Sequence, residues 1–403
     1  MKKLIYRFFE NCGVRKVNNK YIYYNCNSGD WYSINKCEHD IISIIMKGNN
    51  TFESYRKNFK NDEEYRYIKI IFDNLMYLQI ILKNQEKISK EKKMIIYEIT
   101  QRCNLQCTHC CNYVDKDDII DLDYNDILDH IDKIIKWNPK SISITGGEPL
   151  IRKDIDNILK YLRNNYNGNI MLSSNGLLIN KYIEVILKCV DQLDLSLDGV
   201  DEESCAEIRG KGTFKKVINN INLLKTCGFE KISLSFTCSN SNMHLVSEFK
   251  KLCHDLKVKP IVRGFQPIGK GYLNKNKFNK FTSLEKKNTN HIFEKNLKVT
   301  SCLAGLDTLF IKNDGNIYPC PTITKKENIL GNLNSIEKIE DLNFTEYLYE
   351  KILDNHKLKK CKNCCINIFC ITCPGIINLE MKDDLFDLDY RCKTIGESIL
   401  QKI

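Results

Sequence analysis

Apolar residues cluster in six short runs between residues 95 and 265, and helical patterns separate these runs. The runs cover 95–99, 141–145, 170–174, 193–197, 232–236 and 260–265. The helical patterns include Ile127-x3-Ile131-x2-Ile134-Ile135, with a second one from Phe214 to Leu224. Six strand–helix repeats predict an α/β fold, a parallel sheet curved into a partial (β/α)6 TIM-like barrel. Chemistry in such barrels lies at the carboxyl ends of the strands.

Residues 1–86 follow another pattern. Two alternating strand-like runs within residues 20–35 flank the turn signal Asn27-Ser28-Gly29. Apolar spacing predicts a short helix over 38–46 and a longer one over 63–82. A hairpin followed by helices is winged-helix-like, and the alternative is a plain N-terminal structural extension. The charged stretch 86–93 predicts a linker.

Composition narrows the class of protein. A chain of 403 residues, 42% hydrophobic and 28% charged, suits two or three domains of a soluble protein. It contains no apolar run long enough for a membrane span and no signal-peptide core, so we expect a cytoplasmic location without membrane association. The net charge of +10 favours a solvated, lysine-rich surface, and the alternative is an acidic peptide partner. Without a basic-aromatic array, no nucleic-acid partner is expected.

The 20 cysteines point to metal or redox chemistry, because disulfides are rare in the cytoplasm. Cys103, Cys107 and Cys110 follow the first strand at a C-x3-C-x2-C spacing. Three such thiolates can each hold one iron of a cubane [4Fe–4S] cluster and leave the fourth iron open for a substrate. A structural zinc site would need a fourth ligand, and Cys111 is a poor candidate because it is adjacent to Cys110.

Small polar groups end the next three strands. The second strand runs into Thr145-Gly-Gly-Glu-Pro-Leu150, the third ends in Ser173-Ser174-Asn175-Gly176, and the fourth ends in Ser196-Leu197-Asp198-Gly199. The two glycines allow close backbone approach, and Glu148 offers a carboxylate to a ligand amine. One such strand end is routine, but three beside a cysteine loop predict a binding site.

Taken together, these motifs resemble those of the radical S-adenosylmethionine (radical SAM) enzymes over residues 95–265. The resemblance implies a [4Fe–4S] cluster on Cys103, Cys107 and Cys110, with S-adenosylmethionine on its open iron. The cysteines would then be the catalytic centre, generating a 5′-deoxyadenosyl radical under anaerobic conditions. The implied cofactor-binding residues lie at these strand ends or in the cysteine loop, except Arg209, which lies in Ile208-Arg-Gly210: His109, Gly146, Gly147, Glu148, Ser173, Ser174, Asn175, Ser196, Asp198 and Arg209.

A second group of cysteines lies near the C-terminus. Zinc ribbons separate their C-x2-C pairs by about 15–20 residues, which differs from the close pairs Cys361–Cys364 and Cys370–Cys373. This run resembles the SPASM extension of radical SAM peptide maturases, which implies two auxiliary [4Fe–4S] clusters and three clusters in all. By that resemblance, the distal cluster would bind Cys361, Cys364, Cys370 and Cys392, and the proximal one Cys302, Cys320 and Cys373.

The run departs from the SPASM pattern in two ways. Its last C-x2-C pair is one residue shorter than usual, and no cysteine lies just before Cys302. The proximal cluster could therefore keep an iron open for a substrate thiolate, or Cys365 or water could complete it. We expect the remaining cysteines to be small core residues, including Cys12, Cys26, Cys189 and Cys227.

The N-terminal pattern resembles the PqqD-like domains that capture leader peptides, which bind by adding a strand to a sheet edge. The expected domains are a leader-recognition domain (1–86), a radical SAM core (95–270), a connection (271–300) and a SPASM domain (301–403). The resemblance implies a maturase that forms thioether cross-links in a ribosomal precursor peptide, reduced by a flavodoxin or ferredoxin. The alternatives are carbon–carbon cross-linking, formylglycine formation, or a non-radical iron–sulfur electron-transfer protein.

Overall fold

The chain forms two compact units, which are described separately. In the computed structural model, the described residues are 5–83, 94–111, 121–278, 297–299, 302, 304–305, 307–342, 356–370, 373, 375 and 388–403. The first unit draws on Met1–Lys90, Lys287–Leu303 and Glu346–Ile403. The second unit draws on Glu91–Lys286 and Ala304–Thr345. The predicted linker 86–93 and most of the connection after 278 lie outside the described residues.

The first unit begins with five short strands and two helices. In chain order they are β1 (Tyr6–Phe8), β2 (Cys12–Val17), β3 (Lys20–Asn25), β4 (Trp31–Asn35), α1 (Lys36–Lys47), α2 (Asp62–Tyr77) and β5 (Ile81–Lys83). Strands β2, β3 and β4 form an antiparallel sheet in that order, and β1 pairs with β5. The predicted turn at Gly29 is confirmed, with φ of +79°, a conformation that favours glycine.

The predicted short helix is present as α1, which begins at Lys36, two residues before the predicted start, where Asn35 and Glu38 form a capping box. The longer helix, predicted over 63–82, ends earlier in the structure than predicted. Helix α2 stops at Tyr77, Gln79 adopts a φ of +53°, and the chain then enters β5. A left-handed residue interrupts a helix, whereas apolar spacing alone continues through it.

The second unit is built on a nine-stranded sheet. Its strands are β6 (Met94–Glu98), β7 (Ser141–Thr145), β8 (Asn169–Ser174), β9 (Gln192–Ser196), β10 (Ile232–Cys238), β11 (Lys259–Gly264), β12 (Thr308–Ile311), β13 (Asn316–Tyr318) and β14 (Gly331–Asn332). The spatial order is β11-β10-β9-β8-β7-β6-β12-β13-β14. Strands β6 to β11 are parallel and lie in chain order, and β12 adds parallel to β6. The six predicted strands and the α/β class are confirmed; closure toward a barrel stays a prediction.

Helices follow these strands as the periodicity predicts. They are α3 (Tyr124–Lys136), α4 (Ile155–Asn165), α5 (Ile183–Cys189), α6 (Glu202–Arg209), α7 (Thr213–Thr226), α8 (Val246–Asp255), α9 (Lys270–Leu273) and α10 (Lys275–Phe278). One face of the sheet packs on them through fully buried side chains such as Tyr97, Ile144, Leu172 and Leu195. Because side chains alternate along a strand, the other face carries the intervening, largely polar residues.

The first unit is completed near the C-terminus. Its helices there are α11 (Lys359–Lys362), α12 (Asn367–Cys370), α13 (Leu388–Arg391) and α14 (Glu397–Lys402), with a π-helical turn over Cys392–Gly396. Two cores hold the unit. Helices α1 and α2 cover one face of the three-stranded sheet, and residues from 297–299, 366–369 and 399 cover the other. The domain boundaries expected from the sequence stay predictions.

No helix in the described part of the chain is long and apolar enough to cross a membrane. Of the four cysteines expected in the core, Cys26 and Cys189 are buried and Cys12 is half-buried. Cys227 is exposed, so that expectation was wrong. It caps the C-terminal end of α7, and a cap residue can face solvent although the helix before it is buried.

Two isoleucines of α1 provide a test of the N-terminal core. Ile42 is fully buried, whereas Ile44 on the same helix is 59% exposed. We expect Ile42→Ala to lower the free energy of unfolding by about 2–5 kcal/mol, because truncation leaves a cavity. Ile44→Ala should change it by less than about 0.5 kcal/mol. Urea titration followed by circular dichroism measures both, and equal effects would contradict the described packing.

Candidate functional site

The cysteine loop continues the pairing between β6 and β7 beyond the ends of both strands. The Ile99 amide donates to Thr145 O, the Gly147 amide to Thr100 O at 2.8 Å, and the Glu148 amide to Arg102 O at 2.8 Å. The backbone entering the loop is therefore fixed by a ladder of hydrogen bonds. Cys103 follows at the end of that ladder.

The two glycines are required by this close approach. A Cβ atom on Gly147 would lie 2.3 Å from Arg102 O and 2.6 Å from Gln101 O. A Cβ on Gly146 would lie 2.4 Å from Thr100 O. No side chain fits against these carbonyl oxygens. In the structure, Gly146 and Gly147 thus seat the cysteine loop; the contact with a cofactor amine implied by the resemblance stays a prediction.

Glu148 is completely buried at the end of β7. Its Oε1 accepts from the Leu150 amide (3.0 Å) and Ser174 Oγ (2.9 Å), and its Oε2 accepts from the Asn175 amide (2.7 Å). Burial raises the pKa of Glu148 to about 7, although these donors act to lower it. A carboxylate can accept about four hydrogen bonds, so one acceptor position remains for a ligand.

Asp198 is the centre of a second buried network. Its Oδ2 lies 2.7 Å from His109 Nε2 and accepts from Arg209 Nε at 2.6 Å, and its Oδ1 accepts from the Thr237 amide at 2.6 Å. Burial works to raise the pKa of Asp198, but the charges of Arg209 and His109 outweigh it and hold that pKa well below its usual range. Asp198 therefore stays ionised and fixes both partners beside the loop.

Side-chain donors from both networks point at the loop sulfurs. Asn175 Nδ2 lies 3.9 Å from Cys103 Sγ, and an Arg209 Nη lies 3.9 Å from Cys107 Sγ. Burial raises the pKa of Cys103 to about 11, so ligation must displace its proton. Donors directed at cysteine sulfurs suit thiolate ligands of an iron–sulfur cluster. The residues present therefore fit the predicted cluster.

Two further observations concern the fit of the loop residues to an iron–sulfur cluster. Thr108 Oγ1, within the loop, is buried and has no hydrogen-bond partner in the described part of the protein. Among the described residues, no three Cys, His, Asp or Glu side chains converge as ligands of one metal ion. Each cysteine of a cubane cluster binds a different iron, so its ligands need not converge in that way.

The predicted serines divide between the two faces of the sheet. Ser174 faces Glu148, whereas Ser173 pairs in register with Asp194 on the polar face. Ser196 pairs with Ser235 on that same face. The structure therefore brings Ser174, Asn175 and Glu148 together but does not group them with Ser173 and Ser196. Contacts of these serines with a cofactor stay predictions.

The polar face contains residues that the sequence analysis did not single out. Asp194 forms an ion pair with Arg263, and Ser233 Oγ lies 3.3 Å from Asp194 Oδ1. Glu98, at the end of β6, is 1% exposed. Burial raises its pKa to about 7. In the sequence, Asp194 and Glu98 could have been found as charged side chains within otherwise apolar strands.

Residues 269–278 also hold the cysteine loop. The Gly271 amide donates to Cys110 O at 3.3 Å, and Asn274 Nδ2 donates to Thr108 O at 2.9 Å. A Cβ on Gly269 would lie 2.5 Å from Cys111 O. The sequence predicted a connection over 271–300, most of which lies outside the described residues. Its described residues 271–278 lie largely in α9 and α10 and pack on the loop. These contacts join distant parts of the chain, so no local pattern indicates them.

Several auxiliary cysteines lie together in the first unit. Burial raises the pKa of Cys392, and the nearby Cys370 and Cys364 raise it further. Asn367 Nδ2 donates to Cys361 O at 2.8 Å, which fixes the turn that carries Cys361 and Cys364. In the second unit, Cys320 Sγ lies 2.9 Å from Thr322 Oγ1. The ligand sets of both auxiliary clusters, including Cys302 and Cys373, stay predictions.

A cysteine loop at the carboxyl edge of a sequentially ordered parallel sheet defines an α/β enzyme of the iron–sulfur class. Sequence comparison agrees: residues 97–248 match the radical SAM superfamily, and residues 302–365 match the SPASM iron–sulfur cluster-binding domain. The chain belongs to the radical SAM superfamily. These matches support S-adenosylmethionine and iron–sulfur clusters as its cofactors.

Curated relatives match different lengths of the chain. The mycofactocin maturase MftC of Mycolicibacterium smegmatis is 28% identical over 179 residues, 44% of this chain and 45% of that protein. The chain's match thus spans about half the length of this maturase. The uncharacterized protein MJ0907 of Methanocaldococcus jannaschii is 31% identical over 266 residues, 62% of this chain and 91% of that protein.

Solved structures share the fold. Streptococcus suis SuiB bound to S-adenosylmethionine aligns with a TM-score of 0.54 at 16% identity, covering 90% of this chain and 94% of SuiB. The anSMEcpe enzyme with bound AdoMet aligns with a TM-score of 0.51 at 17% identity, covering 77% of this chain and 98% of that one. At such identities the likeness is one of fold.

Gly147 provides a test of the loop seating. We expect Gly147→Ala to lower the iron bound per chain after anaerobic reconstitution by about four atoms, the content of one cubane cluster. The reason is the 2.3 Å approach of the new Cβ to Arg102 O. Gly264→Ala is the matched control, because a Cβ there meets no atom within 4 Å. Equal iron content in both variants would contradict the proposed role of Gly147.

Proposed function

We propose that this chain is a radical SAM maturase that forms thioether cross-links, cysteine sulfur to peptide carbon, in a ribosomally made precursor peptide. The observation that carries the proposal is the seated cysteine loop, with Asn175 and Arg209 directed at the sulfurs of Cys103 and Cys107. Two similar proteins support a precursor peptide as the substrate. MftC is named a maturase, and SuiB has been crystallised with its precursor peptide SuiA.

The residues around the loop suit a zwitterionic cofactor. When bound, S-adenosylmethionine and the cluster on Cys103, Cys107 and Cys110 supply a 5′-deoxyadenosyl radical that abstracts hydrogen. Glu148 would hold the methionyl amine with its remaining acceptor position, while Ser174 and Asn175 keep its carboxylate oriented. Asp198 would hold Arg209 and His109 in place, so that the Arg209 guanidinium stays directed at the cysteine loop, where the cofactor would bind.

The polar face of the sheet supports a peptide substrate. Asp194, Ser233, Ser235 and Arg263 provide hydrogen-bond donors and acceptors on three adjacent strands, β9, β10 and β11. Such groups bind a peptide backbone, whereas the opposite, apolar face is filled by helices. Two auxiliary clusters would carry away the second electron of the oxidation, and a flavodoxin or ferredoxin would supply the reducing electron.

The N-terminal sheet has features of a leader-peptide site. Strand β4 is at one edge of its sheet, and among the described strands it pairs with β3 alone. Beside it, Tyr67, Ile70 and Tyr77 form a stripe on α2 at helical spacing, with exposed fractions of 54%, 60% and 85%. Asn74, within this stripe, donates to Tyr32 Oη on β4. An extended peptide could add to β4 and bury the stripe.

The affinity for S-adenosylmethionine should depend on pH through Glu148. Below about 7, its raised pKa, the carboxyl is protonated and cannot pair with the ammonium of the cofactor. Affinity should therefore rise through pH 7 and fall above about 8, where an α-amino group loses its proton. Arg209 is the charged residue that acts on Glu148 to lower this pKa.

Isothermal titration at stepped pH, on reconstituted protein, measures this profile. Glu148→Gln should remove the rise in affinity for S-adenosylmethionine through pH 7. Glu98→Gln is the matched control, because burial raises the pKa of Glu98 to about 7 as well. If only the Glu98 variant lost this rise in affinity, the result would contradict the role proposed for Glu148.

The stripe on α2 should control peptide capture. We expect Ile70→Glu to weaken binding of a leader peptide at least tenfold, because a charge replaces an apolar contact. Ile44→Glu changes an isoleucine of nearly equal exposure on α1 and should leave the affinity unchanged. Fluorescence anisotropy with a labelled precursor from a neighbouring reading frame measures both, and equal affinities would argue against this site.

Co-expression of that precursor with the chain tests the reaction itself. Each thioether should lower the peptide mass by two hydrogens and protect one cysteine from alkylation. A mass loss with every cysteine still alkylatable would indicate carbon–carbon cross-linking instead. Simultaneous replacement of Cys103, Cys107 and Cys110 by alanine should abolish both the mass change and 5′-deoxyadenosine release.

A further inference from the structure

The N-terminal sheet and the auxiliary cysteine segment share one hydrophobic core. Val17, Ile22 and Trp31 on the sheet pack with Ile366, Ile368 and Phe369, all buried except the half-buried Trp31. The rings of Trp31 and Phe369 meet edge to face at 5.4 Å. The sheet face opposite α1 and α2 is thus covered by the segment that contains Cys364 and Cys370.

Arg15 on β2 connects that face to two of the predicted ligands. Its Nη1 donates to Cys364 O at 2.9 Å and to Asn367 Oδ1. Asn367 is 2% exposed, and its Nδ2 donates to Cys361 O at 2.8 Å. One arginine therefore fixes the carbonyl of Cys364 directly and that of Cys361 through Asn367.

We propose that Arg15 is a positioning residue of the distal auxiliary cluster, which makes the N-terminal sheet one wall of that cluster's site. The inference rests on the proposed ligands Cys361, Cys364, Cys370 and Cys392. A guanidinium offers several donors in a rigid fork and a permanent positive charge. Its planar Nη1, which donates to both Cys364 O and Asn367 Oδ1, holds the ligand turn in shape for metal uptake. The charge stabilises the more negative, reduced state of the cluster.

The test uses the full chain with Cys103, Cys107 and Cys110 replaced by alanine, so that the remaining iron reports the auxiliary clusters. In this background, Arg15→Gln should lower iron uptake and decrease the reduced-to-oxidised ratio of the distal cluster several-fold at a fixed potential. Arg15→Lys keeps the charge without the planar guanidinium whose Nη1 contacts Cys364 O and Asn367 Oδ1, so it should lower uptake while leaving the ratio near the parent value. Iron analysis and electron paramagnetic resonance in a redox titration measure both quantities.

Lys16→Gln is the matched control, because it removes a positive charge from the adjacent, exposed position of β2. An Arg15→Gln variant equal to Lys16→Gln in iron content and redox ratio would overturn the inference. If Arg15→Gln fails to fold by circular dichroism, Arg15→Lys decides: lowered uptake or an altered resonance spectrum supports the inference, and parental values of both overturn it.

A separate double variant distinguishes this inference from the proposed function. Cys361→Ala with Cys364→Ala should lose about four irons per chain. If that variant keeps all of its iron, the distal cluster itself is wrongly assigned, and the inference fails with it. If it loses the iron while the Arg15 variants match Lys16→Gln, the cluster assignment holds and only the role of Arg15 is overturned.

Discussion

The candidate site depends on one backbone contact, the seating of residues 100–102 against Gly146 and Gly147. Hydrogen bonds from the Gly147 and Glu148 amides extend the β6–β7 pairing into the cysteine loop. The carbonyl oxygens lie so close that no side chain could stand between them. The position of Cys103 is therefore set by a sheet ladder, which is more rigid than an ordinary loop. The same turn directs Glu148 inward and begins the helical turn at Pro149.

Two buried carboxylates near this contact have opposite electrostatic character. Asp198 has cationic neighbours, so it remains an anion and keeps Arg209 and His109 in fixed positions. Glu148, by contrast, accepts hydrogen bonds from neutral donors among the described residues. Asp198 is therefore suited to a permanent supporting role. Glu148 is suited to receive a cation, because a bound ammonium would compensate the burial of its charge.

The sequence predicts the parallel sheet well, because apolar periodicity and the glycines and small polar residues that follow each strand are local signals. It identifies Gly147 and Glu148 for the same reason. It does not reveal that Asn175 and Arg209 point at cysteine sulfurs, since those contacts join residues 72 and 102 positions apart. The strand at 81–83 was also missed, because its partner β1 lies at the other end of the N-terminal segment. A left-handed Gln79 ends the preceding helix without any signal in the apolar spacing.

The shared core of β2–β4 with Ile366 and Phe369 has a consequence for biosynthesis. Arg15 and Cys364 are separated by 349 positions, so a ribosome adding about 5–20 residues per second needs roughly 20–70 s to make the second after the first. For most of that interval, until residues 297–299 are made, the sheet face around Ile22 and Trp31 has no native cover. Helices α1 and α2 can protect only the other face. A nascent chain of this kind would therefore gain from a holding chaperone until its last quarter emerges.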